Sequence, residues 1–595
     1  MKQFNREFFR DFWGITKPYF SESEERWSAR GLIFAVIVLS LFQVYISYRI
    51  TEWYRGFWDA VQQYNSAEAW HLLLIFAILV TPAIIAYVYQ VYLTQMLQIR
   101  WRRWLTRRYL KAWLDQGTYY HMQILGDGTD NPDQRISEDL NSFTYQTLNL
   151  AIPLLNSITT LVAFIALLWG LSSQAALPWH GGKIVIPGYL VWVAAVYAFF
   201  GTIVVAFVGR PLVKQRFNQE RFNADFRFSL VRLRENSESV ALYRGEPRER
   251  EHFLSVFASV FENFWQIMRR TKRLNWWASG YGQISGIFPV LVTLPGYFAK
   301  FFQIGTIQEI SSAFGAVQGA LSFIVNSYPG DSYSGLATWH AVVDRLRFFQ
   351  QAMSKAQDIR KTNYRIVRRD GPHLNISALT VSLPDGRELV HGLNLELSPG
   401  GRLLVMGASG SGKSTLIRTL AGIWPFGQGF IELPERESVL FMPQKPYVAL
   451  GTLREALLYP FGSPATSDAE VASALERSGL PELFKLRNES RMWAQVLSLG
   501  EQQRLAFGRI FLQRPAWVFM DEATSAIDEV AEGELYRMLI ETLPQTAIVS
   551  VGHRSSLLAF HKVRLVLTGG GGWQIEEITG KDATARRAAT AGGQV

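Results

Sequence analysis

Six stretches without a single Asp, Glu, Lys or Arg dominate the first 330 residues: 31–48, 69–99, 140–182, 184–209, 274–299 and 310–330. A helix that crosses a bilayer needs about 20 mostly apolar residues, since its backbone must satisfy itself where water is absent. Each stretch is long enough once turn residues are trimmed. The 140–182 run exceeds one span, and its tail LSSQAALPWHGG has the Gly, Pro and Ser of an exposed loop. The expectation is an α-helical membrane domain of six transmembrane helices over 31–330, after an N-terminal elbow region over 1–30. The opening residues MKQFNREFFRDFWGITKPYF are charged and aromatic throughout, unlike a cleavable signal peptide.

Basic residues give the orientation. RWRRWLTRRYLK (Arg100 to Lys111) follows the second run; Arg210, Lys214, Arg216 and Arg221 follow the fourth, before RRTKR (Arg269 to Arg273). Connections after the first, third and fifth runs carry few cations. Retention of cations on the inner side therefore places both termini and both long connections in the cytoplasm of a multi-pass protein. The net charge of +10 has the same origin, so no nucleic-acid partner is expected. The absence of cysteine excludes disulfides, thiolate metal sites and thiol redox chemistry. The long connections have helical patterns without membrane-length apolar runs. Spans two to five should therefore extend into the cytosol, either carrying short elements that press on the next domain or as passive insertions.

Tyr87, Gln90, Thr94 and Gln98 recur at three- or four-residue spacing and so share one helix face. With Gln43, Tyr45, Gln283 and Gln318 they would either line a wet cavity or serve as interhelical hydrogen-bonding glue. The trimmed spans contain no carboxylate, which argues against a proton-coupled carrier.

Beyond a helix and linker over 331–371, residues 372–580 read as a soluble α/β domain, and 581–595 as a disordered tail low in apolar content. After the apolar strand LLVM, the segment GASGSGKST runs from Gly407 through Ala408, Ser409, Gly410, Ser411, Gly412, Lys413 and Ser414 to Thr415. It satisfies the phosphate-cradling pattern G-x-x-x-x-G-K-[ST]: backbone N–H groups wrap the phosphates, Lys413 reaches the β- and γ-phosphates, and Ser414 faces Mg2+. Alone it says only that a nucleotide binds. WVFMDE (Trp517 to Glu522) is a buried strand ending in two carboxylates. Asp521 suits Mg2+ and Glu522 suits polarising an attacking water, whereas helix capping is the bland alternative for such a pair.

A third element narrows the class. LSLGEQQR (Leu497 to Arg504) resembles the LSGGQ signature of ABC ATPases. Gln444 in FMPQKPYVALGTLR resembles the Q-loop, SAID (Ser525 to Asp528) the D-loop, and His553 in SVGHRSS the switch histidine. The resemblance implies that two such domains sandwich two ATP molecules head to tail. Gly407 to Thr415, Gln444, Asp521, Glu522 and His553 would come from one chain, and Ser498 and Gly500 from the other. Ser414, Gln444 and Asp521 are the implied Mg2+ partners, with Asp528 beside the nucleotide and Glu522 and His553 catalytic. Two departures stand out: Leu499 replaces the second glycine of the commonest signature, and Leu383 stands where an adenine-stacking Tyr is typical.

Those motifs, with NPDQRISED (Asn131 to Asp139) and FRFSLVRLRENSESVALYRGE (Phe226 to Glu246), resemble the SbmA/BacA-like and YddA-like bacterial transporters, relatives of the peroxisomal fatty-acyl ABC transporters. The resemblance implies an exporter-type fold, a homodimer and a bacterial inner (plasma) membrane location. It also implies ATP-driven movement of a hydrophilic or amphipathic solute, such as cobalamin or an antimicrobial peptide, with import as the first reading. An exporter or flippase of a lipid, fatty acyl compound or peptide is the alternative, and an ATP-gated regulator that transports nothing is the third. A large polar cavity would favour the first and an apolar lateral opening the second.

Overall fold

A computed structural model describes residues 6–126, 131–174, 177–179, 182–327, 335–362, 365–370, 373–434, 438–460 and 465–578. The chain divides into two compact units, one of Met1–Ala112 with Thr129–Gln351, the other of Trp113–Gly128 with Ala352–Val595. The tail over 581–595 and part of the 331–371 linker lie outside the described residues.

In the first unit each expected span falls on one long helix. After α1 (Arg6–Ser21) come α2 (Arg26–Gln62) and α3 (Ser66–Leu114). A short helix α4 (Thr118–Leu125) precedes α5 (Leu140–Gln174), α6 (Tyr189–Glu235), a single turn-and-a-half α7 (Ser237–Leu242), α8 (Glu246–Phe298) and α9 (Ile304–Ser327). Several helices outrun their apolar stretches. α3 continues through the arginines after Ile99, and α8 starts at Glu246, well before the apolar run opens at Leu274. The helices covering Arg26–Gln62, Ser66–Leu125 and Pro132–Gln174 meet a strict length and apolarity test for spanning, and α6 holds the shorter apolar stretch Tyr189–Gly201. The most apolar windows of those three helices are only 17%, 6% and 6% buried, so their greasy side chains face outward. That arrangement suits lipid and not water.

Inside this unit α5, α6 and α9 meet around Phe164, Leu168, Leu190, Ile310 and Phe314. α9 begins with amides that lack helical partners; Gly305 N–H donates to Asp59 Oδ1 (2.9 Å) and Ile304 N–H to Gln62 Oε1 (2.8 Å), both on α2. The Asn131 to Asp139 motif forms a helical turn and a π-helical stretch leading into α5. Its buried Asp139 accepts a fork from Arg345 (2.9 and 2.6 Å) and a bond from Arg135 (2.7 Å). Arg345 belongs to α10 (Leu336–Thr362), whose Trp339 donates to Thr147 Oγ1 at 3.0 Å and meets Phe12 of α1 edge-on.

The polar face of α3 proves to be glue at its centre. Buried Gln90 donates to Ser40 Oγ (2.6 Å) and accepts from Gln43, tying α3 to α2. Tyr45, Tyr87 and Gln283 are exposed. Gln318 donates to Ser322 Oγ at 3.3 Å on its own helix.

Two large sheets organise the described residues of the second unit, beside a short two-stranded ribbon that pairs Gly451–Thr452 with Ser490–Arg491. β1 (Arg365–Asp370), β2 (Leu374–Ser382), β3 (Glu388–Leu397) and β5 (Gly427–Leu433) form one, in the order β1-β5-β2-β3. β4 (Arg402–Gly407), β6 (Val439–Met442), β7 (Trp517–Asp521), β8 (Ala547–Val551), β9 (Val563–Gly569) and β10 (Gly572–Glu577) form the other. Its order is β10-β9-β4-β8-β7-β6, parallel throughout except for the β9–β10 pair. Trp517 to Met520 and Ala547 to Val551 are buried without interruption, as parallel strands covered on both faces must be. A smaller helical cluster joins Leu453 of α12 (Leu453–Leu458), Val471 of α13 (Asp468–Arg477), Trp493, Leu497 and Leu505. α4 belongs to this unit, and its Ile124 packs against the core between the sheets.

Candidate phosphate-binding site

Strand order builds the site. β4, β8, β7 and β6 are neighbours and parallel, so their C-terminal ends lie side by side, where ligands of open α/β sheets bind. Gly407 ends β4, Asp521 ends β7, His553 follows β8 by two residues, and Gln444 follows β6 by two. Residues 37 to 146 positions from the P-loop glycine thus reach one edge through topology alone.

The loop before α11 (Lys413–Ala421) turns through left-handed glycines. Gly407 has φ +149° and Gly412 φ +101°; a Cβ at Gly407 would stand 2.5 Å from the Leu567 carbonyl oxygen and 2.7 Å from Ser411 Oγ. Only glycine permits so tight a cradle. The Lys413 ammonium donates to the carbonyls of Gly407 and Ala408, each at 2.9 Å, spanning the loop mouth. Among the described residues, the buried Ser411 hydroxyl has no hydrogen-bond partner. A glycine cradle, a cation across it and an orphaned hydroxyl within it match a phosphate group. Ser414 Oγ donates to Asp521 Oδ1 at 2.9 Å, so a hydroxyl and a carboxylate sit together as hard oxygen donors that suit Mg2+. Burial pushes the Asp521 carboxyl above the usual range, against the opposing bond from Ser414.

Glu522 is a non-glycine residue at φ +48°. Its N–H is held by the Val551 carbonyl at 3.1 Å, and its Oε2 accepts from Gln444 Nε2 at 3.0 Å. Exposed His553 places Nδ1 4.0 Å from Glu522 Oε1. The left-handed backbone is a local cost, of about 1–3 kcal/mol in general, that persists because the bonds to Val551 and Gln444 hold the residue.

Not every expected residue joins this group. Ser498 is the N-cap of α14 (Leu499–Gln513), and Gly500 lies where a Cβ would stand 3.0 Å from the Ala526 carbonyl. Among the described residues, no hydrogen bond or ion pair links either to the Gly407–Thr415 loop. Asp528 caps α15 (Glu529–Thr542) by accepting from Val530 (3.1 Å) and Ala531 (2.9 Å), and those amides hold its carboxyl below the usual range. Leu383 is half-buried against the core beside the sheets.

Three contributors escaped sequence reasoning. Gln503, fully buried, donates to the Gln444 carbonyl (2.9 Å) and Ser525 Oγ (3.2 Å) and accepts from Ala526 N–H (2.9 Å). It therefore joins two loops that the sequence separates. Arg554 donates to the carbonyls of Ile527 (2.7 Å) and Ser525 (3.1 Å). Neither residue has a pattern that announces this. Glu501 accepts from the Ser498 amide (2.8 Å) and hydroxyl (2.7 Å), and here S-x-x-E was a legible capping-box signal.

Comparison with known proteins agrees with this geometry. Residues 15–298 match the family model described as ABC transporter transmembrane region 2, and residues 390–525 match that described as ABC transporter. An ABC transporter ATP-binding protein of Haemophilus influenzae is 35% identical, over 95% of this chain and 93% of its own. The inner membrane ABC transporter ATP-binding protein YddA of Escherichia coli is 30% identical, over 91% and 94%. The human lysosomal cobalamin transporter ABCD4 is 30% identical, over 81% and 82%. Among solved structures, a bacterial Atm1-family ABC exporter with ATP bound matches with a TM-score of 0.67 at 17% identity, covering 97% of this chain and all of that one; this is a likeness of fold alone.

Proposed function

The chain belongs to the ABC transporters that fuse a transmembrane region to an ATP-binding domain, and we propose that two copies form a homodimer with two composite ATP sites. ATP binding and hydrolysis coupled to transport come with the family. The supporting observation is the split of the site. Lys413, Ser414, Gln444, Asp521, Glu522 and His553 gather at one sheet edge, whereas Ser498 and Gly500 stay apart from it in their own chain. A second copy supplies the missing cap.

Within each site the glycine cradle and Lys413 bind the phosphates, and Gln444, Ser414 and Asp521 hold Mg2+, which when bound supplies Lewis-acid stabilisation of charge on the γ-phosphate. Glu522 orients the attacking water and takes up its proton at a carboxylate oxygen, with Gln444 and His553 on either side of that carboxylate. Asp528 steers its loop towards the shared interface. The membrane unit sits in a bacterial inner membrane with both termini cytoplasmic, in accord with the cations of Arg100 to Lys111.

For cargo we propose an amphipathic solute moved inward. A cavity of about 600 Å³ lies between α6 and α8, lined by Tyr197, Phe200, Trp276, Trp277, Tyr281 and Ile284. Its lining is apolar and aromatic and not polar, which counts for the second reading, a flippase or exporter of a lipid or fatty acyl compound, and against a strictly hydrophilic cargo. Vesicles loaded with labelled cobalamin or a proline-rich peptide, and given Mg-ATP outside, decide between them. ATP-dependent loss of lumenal label, absent in Glu522→Gln, supports import. Accumulation only of label supplied outside refutes it in favour of export. No ATP-dependent movement of either probe or of a labelled lipid, despite hydrolysis, would leave the regulator.

A further inference from the structure

The signature turn of this chain is already occupied by one of its own carboxylates. Ser498 caps α14, and Glu501 Oε2 accepts from both the Ser498 N–H (2.8 Å) and the Ser498 hydroxyl (2.7 Å), while Glu501 N–H reaches back to Ser498 Oγ (3.3 Å). The same box recurs at Thr452 with Glu455 and at Ser467 with Glu470, where it only closes off helix starts. At Ser498 the consequence differs. A hydroxyl has one proton to donate, and here it is given to Glu501. Any γ-phosphate approaching Ser498 must take that proton's hydrogen bond away. It then meets a carboxylate two hydrogen-bond lengths off, roughly 5–6 Å. Two anions at that separation repel appreciably at a partly desolvated interface.

We propose that Glu501 is a positioning residue that latches Ser498 in the nucleotide-free chain and opposes closure of the dimer on ATP, so that it sets the ATP concentration at which the sandwich forms. The proposal rests on the composite-site reading above. Glutamine serves equally well at this place in a capping box, so Glu501→Gln removes the charge and keeps the helix start.

The test uses the full-length dimer in vesicles. For Glu501→Gln the ATP concentration giving half-maximal hydrolysis should fall roughly tenfold, with kcat changed far less. In wild type that concentration should also fall as salt screens the repulsion, and the variant should lose this dependence. Glu470→Gln, the same chemistry at an ordinary helix start, should change neither. An unchanged or raised half-maximal concentration in Glu501→Gln, or an equal salt dependence in both proteins, overturns the latch. Ser498→Ala separates the two ideas: if it leaves turnover intact, the composite-site reading fails first. If it abolishes turnover while Glu501→Gln shifts nothing, only the latch fails.

Discussion

Each unit buries a glutamine between two elements, and the two are used differently. Gln90 of α3 spends its amide on side chains, Ser40 and Gln43 of α2, as one helix bonds to another where lipid offers no partner. Gln503 of α14 bonds chiefly to backbone, the Gln444 carbonyl and the Ala526 N–H, and so fixes the course of two loops. The apolar residues reverse as well. Val162, Phe199 and Phe207 of the membrane unit are exposed, whereas Phe519 and Val549 are wholly buried in the core between the sheets. A bilayer accepts what water rejects, so one unit is held by polar links and close packing and the other by burial.

The sharpest break between the units concerns chemistry. Glu522→Gln should lower hydrolysis by about 10²–10⁴-fold and leave ATP-bound dimers trapped, as measured by phosphate release and nucleotide retention. Retained wild-type rates would remove the catalytic assignment. Next comes burial. Phe519→Ala should destabilise the α/β unit by about 3–5 kcal/mol in denaturant unfolding. Val162→Ala, at an exposed position of the membrane unit, should cost a small fraction of that, and equal losses would erase the contrast.

Acid should act on the α/β unit through His561. Its Nδ1–H donates to the Leu557 carbonyl (2.8 Å), and its Nε2 accepts from Ser550 Oγ (2.9 Å), which accepts in turn from Tyr536 OH (3.0 Å). Burial depresses the imidazole to about 4 from 6.5. The unfolded chain therefore takes up a proton that the folded one refuses. Stability should fall as pH drops from 6.5 towards 4, by about 3 kcal/mol from this group. His561→Gln should flatten that slope in thermal unfolding, and an unaltered slope would discount it. The smallest effects return to the glutamines. Gln503→Ala leaves a buried carbonyl and amide unpaired, at about 1–3 kcal/mol, with slower turnover. Gln90→Ala should cost about 0.6–1.7 kcal/mol, the range for interhelical bonds in membranes. If the second loss exceeds the first, the comparison is the wrong way round.

Legibility followed contiguity. The P-loop stood out because its glycines, Lys413 and Ser414 lie within eight consecutive residues, and their spacing is itself the cradle. Asp521 and Glu522 were legible from a buried strand ending in carboxylates. The Gln444–Glu522 contact required β6 and β7 to be neighbours, which no local pattern states. The polar face of α3 was legible as a face, but its use as glue depended on Ser40 arriving opposite Gln90. Gln503 gave no signal, since glutamine in a polar helix start is ordinary until two loops fold over it.

The sequence by itself determined a helical membrane domain and an ATP-binding α/β domain, and it offered residue types suited to phosphate. Bilayer thickness and phosphate chemistry impose local requirements, and local sequence can meet them. The tertiary structure alone decided which strand ends converge, which hydroxyls are free and which are already held, and where helices α6 and α8 leave an aromatic cavity. Those outcomes depend on strand order and helix packing between residues far apart in the chain, and such pairings have no periodicity to betray them.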